Sequence, residues 1–196
     1  MSECPTLGLM PVDNAIALLQ QAGRQKLPTI EDVFLDEALG RVLAEDVFSS
    51  IDVPPQANSA MDGYVLNTSD LQGDMTFIVS QRIAAGSQPV TLQAGTIARI
   101  FTGAVIPNGA NAVVMQEDCQ LLEDGRVKLL DIVKAQENIR PQGQDIVKRQ
   151  CILQQGEKLT AASIGLLATI GKPKVRVYQQ LKVIFFSTGD ELVVAG

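Results

Sequence analysis

Four short segments carry the side chains best suited to chemistry: NSAMDGY (58–64), FTGAVIPNGANAVVMQED (101–118), NIRPQGQDI (138–146) and FSTGDEL (186–192). They concentrate carboxylates, hydroxyls and glycines. Histidine is absent from all 196 residues, which excludes a Ser-His-Asp or Cys-His site and a His-ligated zinc within this chain. Acid–base or metal chemistry must therefore rest on carboxylates, Lys, Tyr or backbone groups. Cys4, Cys119 and Cys151 are far apart, odd in number and without metal-ligand spacing, so inert thiols in a reducing compartment are expected.

Each segment alone has a plain structural reading. Asp62-Gly63 is a common turn pair, and Thr102-Gly103 suits a loop at a strand end. Asp145 near Arg140 reads as a surface ion pair of small energetic weight. Ser187, Thr188 and Asp190 could simply satisfy backbone donors in their loop. The other reading is that these loops present oxygen groups to a ligand.

The elements that must position them follow from periodicity. Val12, Ala15, Ile16, Leu19 and Ala22 share one helical face, with Pro11 and Asp13 suiting the start and Gly23 the end. Residues 26–49 read as a strand, a helical turn around Asp36–Leu39 and a second strand. The prolines of SSIDVPP mark a crossing into another domain, because they donate no backbone hydrogen bond and favour extended chain. Short strands follow in FIVSQRI (Phe77, Val79 and Ile83 on one face), TIARIF, NAVVMQE and RVKLL, separated by QPV, IPNGAN and EDGR. That spacing predicts a small barrel or sandwich. Thr160 caps a helix whose face carries Ile164, Leu167 and Ala168, ended by Gly171 and Pro173. KVRVY is a strand. Val183 to Phe186 is continuously apolar, like a strand buried on both faces that opens an α/β unit.

No apolar run approaches the roughly 20 residues of a membrane span, and the N-terminus lacks a basic flank before an apolar core. A cytoplasmic protein with no membrane partner is expected. The net charge of −6 with scattered basic residues argues against a nucleic-acid partner. A small anionic ligand stays open, since local N–H groups and an Arg can override net charge.

As an ordered set, NSAMDGY, TGAVIPNGANAVVMQE and FSTGDEL closely resemble the MoeA/gephyrin-type molybdopterin molybdotransferases, from the first helix to STGDEL. Two departures stand out. Pro55-Gln56-Ala57 replaces a segment that often has an aromatic and an acid, and Gln142-Gly143-Gln144-Asp145 replaces Arg-Gly-Glu-Asp. Gln144 thus leaves Asp145 as the surviving carboxylate there.

The resemblance implies an α+β, multi-domain chain. Residues 1–25 form an N-terminal helix. Residues 26–48 with 144–178 form a mixed α/β domain, and 49–143 an inserted β-rich, barrel-like domain. Residues 179–196 begin an incomplete molybdopterin-binding α/β domain, so the chain is expected to stop inside a domain. The implied function is molybdenum insertion from molybdate into adenylylated molybdopterin, with Mg²⁺ and release of AMP. It implies a homodimer through the β-rich and neighbouring domains, with molybdopterin adenylyltransferase as a functional partner. Asp62, Thr102, Asp145 and Glu191 are the implied catalytic residues. Asn58, Ser59, Ser187, Thr188 and Gly189 would contact substrate, and Asp62, Asp190 and Glu191 are candidates to hold the metal. The isolated chain is expected to be inactive. The alternative is a non-enzymatic, gephyrin-like dimerisation or scaffold module.

Overall fold

The computed structural model describes residues 10–24, 28–184, 189 and 193. In chain order the elements are α1 (Val12–Arg24), β1 (Ile30–Phe34), β2 (Val47–Phe48), β3 (Asn58–Ser59), β4 (Gly63–Leu66), β5 (Thr76–Ile83), β6 (Thr96–Ile100) and β7 (Ala112–Met115). They continue with β8 (Cys119–Leu121), β9 (Val127–Leu129), β10 (Ile139–Arg140), β11 (Cys151–Leu153), α2 (Ala161–Thr169) and β12 (Lys174–Tyr178). The chain divides into one unit of residues 1–46 with 153–196 and a second of 47–152.

In the first unit, β1 pairs antiparallel with β12, bringing Val33 opposite Val175 and Glu31 opposite Val177. Leu43, Leu159, Leu167, Val175 and Val177 are buried and form its apolar interior. The helix α2 starts where expected: the Thr160 hydroxyl accepts the Ser163 N–H, and the Ser163 hydroxyl accepts the Thr160 N–H. Its inward face runs Ile164, Leu167, Ile170, while Ala168 is exposed. The amphipathic α1 buries none of its residues.

Two expectations in this region are corrected. The strand predicted after Asp36–Leu39 is not continuous: Val42 and Leu43 make isolated bridges in the first unit, while Val47–Phe48 pairs in the second. Val183 and Ile184 form no strand and are exposed, whereas Phe185 and Phe186 lie outside the described residues. A strand buried on both faces needs a neighbour on each side, and among the described residues none pairs with it.

The second unit is built on a six-stranded half-barrel sheet in the order β7-β4-β6-β5-β9-β8. Only β5 and β6 run parallel; the other pairs are antiparallel. Alternation sorts its apolar residues onto two faces. Leu66, Ile97, Ala112, Val114, Phe77, Val127 and Leu129 pack on one, and Val65, Ala98, Ile100, Val113 and Ile83 on the other. Phe77 and Ile83 therefore do not share a face. The register between β5 and β6 shifts from Val79↔Ile97 to Gln81↔Ala98, and this bulge inverts the alternation. Residues 144–152 also lie in this unit. Val53 exchanges backbone hydrogen bonds with Ile146, and Ser49 does so with Gln150 and Arg149.

Candidate functional site

Asp62 is held by the strand-end loop that follows β6. One carboxylate oxygen accepts both the Thr102 N–H at 2.8 Å and the Thr102 hydroxyl at 2.7 Å. These two donors, backbone first, hold the carboxyl below its usual acidity range, and the nearby Arg99 charge adds to the effect. Asp62 is thus ionised and fixed in orientation at neutral pH. Its backbone carbonyl accepts the Gln116 N–H at 3.0 Å.

Gly63 is not a turn glycine. It opens β4 opposite Met115 of β7. A Cβ there would lie 1.9 Å from the Val114 carbonyl oxygen, well inside contact distance. The glycine lets β4 and β7 close directly behind Asp62.

Asn58 and Ser59 form the seam between the other two segments. Ser59 donates its N–H to the Ala104 carbonyl at 2.9 Å and accepts the Gly103 N–H at 2.8 Å. On the other side, Ser59 and Asn58 face Ile139 and Arg140 of β10. Ser59 is fully buried, and its hydroxyl bonds the Met61 backbone at 2.6 Å, so it braces the loop from beneath. The Asn58 Oδ1 is buried without a hydrogen-bond partner. Three of the four segments therefore converge within the second unit.

Arg140 donates to Asp145 at 2.5 Å and to the Gln144 side chain at 3.3 Å. The amide at position 144 shares the guanidinium with the surviving acid. Asp145 also donates its N–H to the Val53 carbonyl at 2.8 Å, tying this segment to DVPP rather than to Asp62. Asp52 strengthens the same tie by accepting the Lys148 N–H and the Gln142 amide, each at 2.7 Å. No described hydrogen bond joins Asp145 to Asp62 or Thr102.

Sequence reasoning missed the basic and aromatic groups beside Asp62. Arg99 stands over the rings of Tyr64 and Phe101, at 5.1 and 4.9 Å from their centroids. It also donates to the Gly63 carbonyl at 3.3 Å and to the Gln116 side chain. Arg82 stands over Phe101 at 4.7 Å. The i, i+2 spacing of Arg99 and Phe101 in TIARIF was a legible sign that they share a face. Arg82 had no such sign, because the bulge decides its direction.

Of the fourth segment, only Gly189 is described, and it is exposed. Ser187, Thr188, Asp190 and Glu191 lie outside the described residues. A hard cation such as Mg²⁺ takes oxygen ligands, and one or two carboxylates with waters and substrate phosphates suffice for it. The oriented Asp62 carboxylate fits one such place. Among the described residues, no three Asp, Glu, His or Cys side chains group closely enough to hold a metal unaided. No described helix is long and apolar enough to cross a membrane.

A sheet unit presenting an ordered carboxylate–hydroxyl pair, joined to a smaller unit of mixed α and β structure, matches the fold of molybdopterin biosynthesis proteins. The crystal structure of the moeA protein of Pyrococcus horikoshii OT3 superposes with a TM-score of 0.75 at 32% identity, covering 87% of this chain and 46% of that one. The family description "MoeA N-terminal region (domain I and II)" matches residues 10–171, and the chain belongs to that family. The molybdopterin molybdenumtransferase of Haemophilus influenzae is 45% identical over 163 residues, 83% of this chain and 40% of its own length. That of a Nostoc species is 43% identical over 169 residues, 83% of this chain and 38% of its own. The chain spans about two fifths of the length of these relatives.

Proposed function

We propose that this chain supplies part of a site that inserts molybdenum from molybdate into adenylylated molybdopterin, with release of AMP. The observation carrying this reading is the Asp62–Thr102 pair, an ionised carboxylate locked by two donors where three characteristic segments meet. The names of the relatives, molybdopterin molybdenumtransferases, support the transfer of molybdenum to molybdopterin.

In this reading Asp62, Thr102, Asp145 and Glu191 are the catalytic groups. Asn58, Ser59, Ser187, Thr188 and Gly189 line the substrate, with Ser59 acting through the loop it braces. Mg²⁺, when bound, neutralises charge that develops as the phosphoanhydride opens. Asp62, Asp190 and Glu191 would hold it. Asp62 would have one oxygen to offer, since the other is engaged by Thr102. Thr102 keeps the carboxylate from turning inward, and Gly63 keeps the sheet closed behind it.

A cytoplasmic homodimer, formed through the sheet unit and its neighbours, belongs to this reading, as does molybdopterin adenylyltransferase as functional partner. This reading also takes the 196-residue chain by itself to be inactive in transfer.

The test is a chimera in which residues 10–171 replace the matching region of the Haemophilus influenzae relative. Molybdenum transfer should survive the exchange and fall roughly 10–100-fold with Asp62→Asn, the range for disturbing a metal's supporting groups. Full activity of the Asp62→Asn chimera would remove Asp62 from the reaction and favour the scaffold reading. Transfer by the isolated 196-residue chain would overturn its proposed inactivity.

A further inference from the structure

Arg82 and Arg99 occupy facing positions of the parallel β5–β6 pair. Like charges placed opposite each other on a sheet repel, so their juxtaposition calls for a reason. The bulge between Val79 and Gln81 creates it. Uninterrupted alternation from Phe77 and Val79 would have turned Arg82 to the opposite face. Bulges of this kind re-aim a side chain.

Among the described residues neither arginine has an acidic partner in an ion pair. The four ion pairs among the described residues use Arg41, Arg126, Arg140 and Arg176 instead. This occurs in a chain with 22 acidic against 16 basic side chains, where acidic partners are plentiful. Both guanidinium groups instead stand over the Phe101 ring, at 4.7 and 4.9 Å. Stacking engages the face of a guanidinium and leaves its edge N–H groups for acceptors in its plane. Arg99 uses part of its edge on Gly63 and Gln116. Arg82 is exposed. The Phe101 platform is joined directly to Thr102, which holds Asp62.

We propose that Arg82 and Arg99, stacked on Phe101, form a binding site for a tetrahedral dianionic oxyanion such as a phosphate or molybdate group. Arg82 supplies the open fork of donors, and Arg99 supplies a second positive charge fixed by its rings and hydrogen bonds. The site lies wholly within the sheet unit and does not depend on the reading of molybdenum insertion. Failure of either proposal therefore leaves the other standing.

The experiment follows the arginine Nε–Hε signals of the full chain by NMR during titration with inorganic phosphate, with chloride at matched ionic strength as reference. Molybdate and AMP are titrated in parallel, to separate an inorganic dianion from a phosphate ester as the source. Phosphate should shift the Arg82 and Arg99 signals saturably, where chloride does not. Arg82→Gln should weaken the apparent affinity about tenfold or more, as expected for losing charged hydrogen bonds, and Arg82→Lys should restore part of it. Arg82 is exposed and its replacement uncovers only part of the Phe101 ring, so a thermal melt checks folding. Equal shifts with chloride would overturn the proposal. So would unchanged phosphate binding in folded Arg82→Gln, which would assign the pair to bracing Phe101.

Discussion

Asp62 and Thr102 make a pH-dependent contact whose sign can be worked out. The carboxyl is more acidic in the folded chain than in the unfolded one, because Thr102 donates twice to its charged form. Its stabilisation is therefore fully present above the ordinary Asp value of about 3.9 and is lost as pH falls through the lower, folded value. Wild type should exceed Asp62→Asn in unfolding midpoint at neutral pH, and the gap should close in strong acid. A gap that widens on acidification would contradict the geometry. Gly63→Ala tests the strand contact beside it. A Cβ at 1.9 Å from the Val114 carbonyl must push β4 from β7, and urea unfolding should register a loss of about 1–3 kcal/mol or more. Cys119 offers a third check. Burial, with Asp118 nearby, pushes its thiol up to about 11, so little thiolate forms at neutral pH. Alkylation of Cys119 should be slow in the native chain and fast in denaturant, by mass spectrometry.

The bulge in β5 and the cap of α2 are small devices with large consequences for direction. Deleting Ser80, the extra residue, would leave Val79↔Ile97 and Gln81↔Ala98 as consecutive pairs, so Arg82 and Ile83 should keep their faces and the arginine Nε–Hε signals should stay in place. Thr160→Ala removes the acceptor for the Ser163 N–H and should cost about 1 kcal/mol. The cap was readable in sequence, because a hydroxyl before a helical pattern has a local partner. The bulge was not. Its only trace would be a broken alternation, and FIVSQRI keeps apolar residues at 77, 79 and 83. The two-residue strands β3 and β10 were equally hidden, since each is defined by a partner about 80 positions away. The EDGR turn, by contrast, closes the β8–β9 hairpin through the Leu122–Arg126 backbone bond, as its local residues predict.

Each of the two units has its own buried apolar residues, and the chain passes between them twice, at 46–47 and at 152–153. The sheet unit has an apolar cluster on each face. Residues 47–152 expressed alone should therefore unfold in a single cooperative transition, measured by near-ultraviolet circular dichroism or NMR dispersion. A fragment lacking fixed tertiary signals would show that the sheet needs the remaining residues. The crossing was legible only approximately at DVPP. The break falls earlier, between Leu43 and Val47, because backbone partners rather than prolines decide where one unit ends.

From sequence alone came what depends on neighbours a few positions apart: the helix starts, the strand β12, the hairpin turn and the absence of histidine chemistry. The ordered segments also carried the family likeness. Tertiary structure decided which groups meet. It turned Gly63 from a presumed turn residue into a strand contact, gave Ser59 to the loop interior, and set Arg99 near Asp62 with Arg82 opposite Arg99. The physical reason is that these outcomes rest on register and approach between distant strands. One bulged residue or one missing Cβ changes which face a side chain occupies, and neither leaves a periodic trace in the chain.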